Sequence, residues 1–216
     1  RHRGHGLMVE RLSQDIRALI VQADREYRQI STRLDSSLAN RLFEHHKDIP
    51  ELSELKQRSR NLREQTERLR VLGLLQEAPS SLDEERLSDE QKGSFFIILK
   101  DREEKLAPFA QVVDKAERLL LSLNRKLAPK SVRFDVEKGY QIRTATGEPL
   151  ALESLSSGEQ HELVLLHELL FDVRPGSVIL IDEPELSLHV TWQVDVLPDL
   201  LEIAKLSNLD FVLATH

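Results

Sequence analysis

The chain of 216 residues has no cysteine, which excludes a disulfide framework, a thiolate zinc site and a cysteine nucleophile. Aromatic residues make up only 5 %, and glycine and proline number 8 each. A collagenous or low-complexity chain is therefore excluded too. No apolar run approaches the ~18–20 residues needed to span a bilayer. The longest stretches, Phe95–Leu99 and Leu163–Phe171, are short or broken by His167 and Glu168. No secretory leader is visible and the first residue is Arg1 rather than Met, so the expectation is a cytoplasmic segment of a longer protein with no membrane partner.

What the chain does have is charge. Charged residues reach 31 % and hydrophobic ones 40 %, with a formal net charge of −7. That balance favours long solvated helices over a β-sandwich. The charge is also uneven. Residues 1–130 carry 25 basic and 22 acidic side chains, a net of +3, whereas residues 131–216 carry 5 and 15, a net of −10. The asymmetry predicts two modules, a helical arm over 1–130 and a second lobe over 131–216.

In the first module, Val9, Leu12, Ile16, Leu19, Ala23, Tyr27, Ile30, Leu34, Leu38 and Leu42 follow one another at steps of three and four. That is a single stripe on a helix of about 34 residues, ~51 Å long. Asp48-Ile49-Pro50 reads as a turn with Pro50 opening the next helix. There Leu55, Leu62 and Leu69 recur seven apart, the helix is crowded by Arg58, Arg60, Arg63, Arg68 and Arg70, and Gly73 weakens its last turn. The arginines suit either intrahelical pairing with Glu64 and Glu67 or contact with nucleic-acid phosphate, so DNA is a possible partner. Ser88-Asp89-Glu90-Gln91 has the spacing of a capping box. It opens a third helical run that Pro108 should divide before its end near Leu127.

The second module changes period. Val132, Phe134 and Val136, then Tyr140 and Ile142, alternate with polar residues around Glu137-Lys138-Gly139, a hairpin signal. Ser157 and Gln160 are spaced as a capping box for a helix running to about Phe171. Val178-Ile179-Leu180-Ile181 and Phe211-Val212-Leu213-Ala214 read as strands buried on both faces of a parallel sheet. A helix from Val190 to Leu206 joins them into a βαβ unit.

Three motifs carry the chemistry. Leu155-Ser156-Ser157-Gly158-Glu159-Gln160 places small side chains and free amides at a helix N-terminus, where phosphate is favoured. Ile181-Asp182-Glu183-Pro184 puts adjacent carboxylates at the C-terminal end of a strand, where ligands of open α/β sheets bind. Asp182 can orient Mg²⁺, and Glu183 can take a proton from an attacking water. Ala214-Thr215-His216 brings an imidazole to the end of the next strand. The remaining histidines fit no such pattern. His2, His5, His45 and His46 read as exposed loop residues, and His161 and His167 lie six apart, which is not a shared helical face. Trp192 reads as packing.

With their spacing of 24 residues from Gly158 to Asp182 and 34 from Asp182 to His216, these motifs resemble the C-terminal lobe of an ABC-class P-loop ATPase of the SMC, RecF and OLD branch. On that resemblance Ser156, Ser157, Gly158, Glu159 and Gln160 correspond to the signature motif. Asp182 is the magnesium residue of Walker B, Glu183 the catalytic glutamate and His216 the switch histidine. His189 falls in the D-loop, where transporters carry aspartate, and the wording Glu185-Leu186-Ser187-Leu188-His189 is typical of OLD-like ATPases, many from phage defence. The fold implied is a partial ABC-type α/β lobe, with βαβ units of a mainly parallel sheet and a long helical, partly coiled-coil insertion. The activity implied is ATP hydrolysis with Mg²⁺ in a homodimer or higher homo-oligomer, with a nuclease or Toprim-type effector as a possible partner. No Gly-x-x-x-x-Gly-Lys-Ser/Thr occurs in the chain, so the Walker A loop is expected upstream and the segment alone is expected to be inactive. The alternatives are a non-catalytic coiled-coil scaffold and a DNA-binding sensor module.

Overall fold

The computed structural model describes residues 2–43, 49–75, 88–182 and 190–214. Two compact units divide the chain, Arg1–Ala18 with Asp114–His216 and Leu19–Val113. Helices α1 (His2–Phe43) and α4 (Ala110–Lys126) each contribute residues to both. His2 and His5, read from sequence as loop residues, lie in the first turns of α1. The stripe beginning at Val9 extends toward the N-terminus because nothing in residues 2–8 stops a helix beyond the modest cost of two glycines.

The unit Leu19–Val113 is helical. Beside its share of α1 it holds α2 (Leu52–Val71) and α3 (Lys92–Leu106). Leu55 and Leu62, two members of the seven-residue repeat, join Phe95 and Leu99 in one buried cluster, with Ile49, Phe96 and Leu106 at its margin. Gly73 ends α2 rather than merely weakening it. At φ +77° its N–H reaches the Arg70 carbonyl at 3.0 Å and that of Leu74 reaches Leu69 at 2.9 Å, the paired bonds of a Schellman cap that an L-residue would strain. Pro108 divides the third run as its ring requires, with a 3₁₀ turn at Ala107–Phe109 between α3 and α4. Charges close the unit. Arg58 grips Glu103 through two bonds of 2.9 and 2.5 Å and lies over the Phe96 ring, and Arg70 pairs with Glu67.

The other unit is mixed α/β. Strands β1 (Ser131–Asp135), β2 (Gly139–Arg143) and β3 (Pro149–Leu150) form an antiparallel meander. Phe134 stands opposite Tyr140 and Val132 opposite Ile142, so the alternating apolar residues share one face. The carboxylate of Asp135 accepts the N–H groups of Glu137 and Lys138 in the turn. Gly139 (φ +76°) must be glycine, because a Cβ there would stand 2.1 Å from the Ser13 carbonyl oxygen. Asn124 seals the meander's edge, accepting from the Val132 N–H and donating to its carbonyl. Next come α5 (Ser157–His167) and a π-helical turn, Glu168–Asp172.

Strands β4 (Val178–Asp182) and β5 (Asp210–Ala214) pair in parallel, with α6 (Val190–Ser207) between them in sequence. The βαβ order read from the sequence therefore stands. The burial does not: Val178 is 60 % exposed, Leu180 76 % and Val212 55 %. Each strand has one open face, because the pair carries side-chain cover on the other face only. The described sheets are thus one antiparallel meander and one parallel pair.

Candidate functional site

The ends of β4 and β5 meet in register. Asp182 stands directly opposite Ala214, so the first carboxylate of the second motif and the strand that leads to the third converge at the C-terminal edge of the parallel pair. Register here is set between segments about 30 residues apart, and only the fold shows it. Asp182 is exposed and has no partner among the described residues. A lone, accessible carboxylate fits Mg²⁺, which takes one or two carboxylates and keeps water or phosphate for its other positions. Glu183, His189 and His216 lie outside the described residues, as does the side chain of Trp192.

The first motif forms the N-terminus of α5. Its cap is not the Ser157–Gln160 box expected from sequence. Ser156 is the N-cap: its Oγ accepts from the Glu159 N–H at 3.3 Å, and Glu159 Oε2 accepts from the Ser156 N–H at 2.8 Å. The one-residue shift has a physical reason. A carboxylate at the third helical position answers the helix dipole, which a glutamine cannot do. Gln160 instead donates to the carbonyls of Glu153 and Leu155, holding the approach to the helix. Ser157 and Gly158 have no acceptor for their amides among the described residues, so the helix end keeps free N–H groups for an anion.

Burial pushes the Glu159 carboxyl upward, but bonds from Lys130 and Ser156 outweigh that and leave it below its ordinary value. Lys130 Nζ lies 2.8 Å from both of its oxygens. Glu159 therefore stays ionised at neutral pH, where the capping box needs it.

Between α5, β4 and α6 lies a cavity of about 400 Å³ whose wall includes Asp182 and Ile181. Ser156, Ser157 and Gly158 do not line it. The fold thus gathers Asp182 with the end of β5 and keeps Ser156, Ser157 and Gly158 elsewhere on the unit. At the cavity's base is a charge cluster that sequence reading missed. Lys126 bonds Glu162 and stands 3.0 Å from Asp199, and Arg118 and Arg125 also reach Asp199. The side chains of Lys126, Glu162 and Asp199 are 2 %, 1 % and 3 % exposed. The available signal was an acid inside an apolar run, as in Glu162-Leu163-Val164 and Leu197-Pro198-Asp199-Leu200, where a charge needs a buried partner.

A mixed α/β unit with a βαβ crossover and a strand-end carboxylate has the arrangement in which open α/β sheets bind ligands. The family model described as "AAA domain, putative AbiEii toxin, Type IV TA system" matches residues 22–216. The chain belongs to this family of AAA-type P-loop ATPases, whose members use ATP and Mg²⁺. None of the curated proteins matches the chain. No described helix is long and apolar enough to cross a membrane.

Proposed function

We propose that the chain is the C-terminal half of an ATP site in an ABC-type ATPase of the SMC, RecF and OLD-like branch. In this reading it dimerises around nucleotide and drives a DNA-related or phage-defence effector. The observation that carries the reading is the register of Asp182 against Ala214 at the C-terminal edge of β4 and β5. Support also comes from the open faces of those strands. Parallel sheets carry helices on both faces, and the exposed Val178, Leu180 and Val212 suit a further helical layer.

In this scheme Asp182 would hold Mg²⁺, which would supply charge neutralisation at the phosphates. Glu183 positions the attacking water and accepts its proton, and His216 donates to the γ-phosphate. On the family resemblance His189 would belong to the D-loop. Ser156, Ser157 and Gly158 present the α5 amides to the γ-phosphate held by the partner subunit.

The decisive experiment uses the protein with its Walker A segment. Glu183→Gln keeps shape and loses the base, so ATP binding persists while turnover falls ~10²–10⁴-fold. Asp182→Asn instead weakens Mg²⁺-nucleotide binding itself. Near-normal turnover by the Glu183→Gln variant would place the base elsewhere.

A further inference from the structure

The signature helix is held by two lysines that no motif includes. Lys126 ends α4, and Lys130 stands four residues further along the chain, past the helix end. Their partners, Glu159 and Glu162, are three apart on α5, which puts both on one helical face. Lys130 takes Glu159, the residue that closes the N-terminal box, with two contacts of 2.8 Å. Lys126 takes Glu162 in the buried interior and, at 3.0 Å, Asp199 of α6. The result is a two-rung ladder. Its upper rung is part-exposed and next to Ser157 and Gly158, and its lower rung is buried and tied to the helix that leads into β5.

Packing alone does not require these ions. Leu123 and Leu127 on α4 and its extension, and Leu163 and Leu166 on α5, are already buried. An isolated buried pair contributes little to net stability. What a ladder adds is direction, because each carboxylate accepts its lysine in one helical register only. Helix α4 begins within the unit Leu19–Val113 and ends at this ladder.

We infer that Lys126 and Lys130 are positioning residues that fix the N-terminus of α5 relative to α4, and so set how the signature motif engages nucleotide across the dimer. The inference rests on the ATP-site reading above. It predicts a specific pattern. Nucleotide affinity of the single subunit is untouched, whereas steps that need the signature motif fail.

The test uses the protein with its Walker A segment. Lys126→Met strands Glu162 in the interior and risks the fold, so the working pair is Lys130→Gln and Lys130→Arg. For Lys130→Gln, kcat is expected to fall about ten-fold or more, with KM for ATP within about two-fold of wild type. Lys130→Arg, which keeps the charge, is expected to recover most of the turnover. In parallel, amide exchange at residues 156–160 without nucleotide is expected to accelerate about ten-fold in Lys130→Gln and little in Lys130→Arg. Unchanged kcat and unchanged exchange in Lys130→Gln would overturn the inference, as would equal loss in both variants. A wild-type protein that turns over no ATP would refute the ATP-site reading instead, and the exchange measurement would still decide whether the ladder holds the helix.

Discussion

Deleting one hydroxyl tests the interior of the α/β unit. Tyr140 on β2 and His167 at the end of α5 are both buried, and Tyr140 Oη lies 2.7 Å from His167 Nδ1. The other ring nitrogen, Nε2, has no hydrogen-bond partner among the described residues, and Asp172 Oδ1 is 4.0 Å away, beyond hydrogen-bond reach. Phe134 and Phe171 flank the pair. Tyr140→Phe keeps the ring and its packing but leaves both imidazole nitrogens buried and unsatisfied. A buried polar atom stripped of its partner costs ~1–3 kcal/mol. At 2–4 °C per kcal/mol for a chain of this size, the midpoint of thermal unfolding should fall by ~4–8 °C for a loss near 2 kcal/mol. His167→Leu should also destabilise, through the stranded hydroxyl. The double variant removes both polar groups and should recover ~1–2 kcal/mol relative to the sum of the two singles.

Acid adds a second, independent readout. Burial lowers the His167 pKa below its ordinary 6.5, and the pull of Asp172 and Asp15, opposed by Arg11, only partly restores it. Tyr140 stays neutral, since burial raises its pKa well above 10.0. A base whose folded pKa is lowered contributes stability that is complete above 6.5. That contribution is lost as pH falls through 6.5 toward the folded value, because the unfolded chain takes up a proton that the folded chain refuses. The slope reaches at most ~1.4 kcal/mol per pH unit. Urea melts at about pH 7.5 and about pH 5.5 should show this slope in wild type and its loss in His167→Leu. Parallel pH dependence in the two proteins, or a coupling energy below ~0.5 kcal/mol in the double-mutant cycle, would refute the reasoning.

Two further outcomes concern the helical unit. Leu99 is fully buried within the cluster of Leu55, Leu62 and Phe95, so Leu99→Ala should destabilise by ~2–5 kcal/mol; a loss under ~1 kcal/mol on chemical unfolding would mean the site collapses freely. Arg41 grips both carboxylate oxygens of Asp101, with side chains 23 % and 9 % exposed. Asp101→Asn removes the charged partner of that guanidinium, which keeps its bonds to Ser37 and the Leu34 carbonyl, and should cost ~1.5–3 kcal/mol; an Arg41→Met, Asp101→Leu double variant should lose markedly less, as measured by the same melts.

Much of the fold was legible because its signals are local. Pro108 cannot continue an α-helix, and the structure divides the run there. Apolar alternation around Glu137-Lys138-Gly139 sufficed for the hairpin, since both strands are contiguous in sequence. The quartets Val178–Ile181 and Phe211–Ala214 announced strands, but not how many neighbours each would have. Their open faces follow from pairing, which sequence periodicity does not contain. The α5 cap slipped by one residue because Ser156-Ser157 offers two serines and Glu159-Gln160 two partners. Electrostatics at the helix dipole chose the carboxylate. Two-residue β3 has too short a pattern to notice. In the candidate site, the order of motifs was readable along the chain, while the meeting of Asp182 with Ala214 was not, because it depends on register across α6.

The same limit explains why the lysine ladder escaped notice, and why it takes the form it does. Two leucine-faced helices can slip past one another by a turn with modest loss, because apolar contacts are non-directional. A slip of α5 against α4 would leave Glu162 buried beside no cation, and an uncompensated buried charge costs ~3–5 kcal/mol. That penalty is far larger than the net gain of forming the pair, so the ladder contributes little to how tightly the helices pack and much to where they stop. The third tie, from Lys126 to Asp199, extends the constraint to α6. Helix α6 feeds β5, whose last residue stands opposite Asp182. A single buried ammonium thus ties α5 and α6 to one frame. A geometry that must stay constant at both ends is better held by ions of one register than by a larger apolar face.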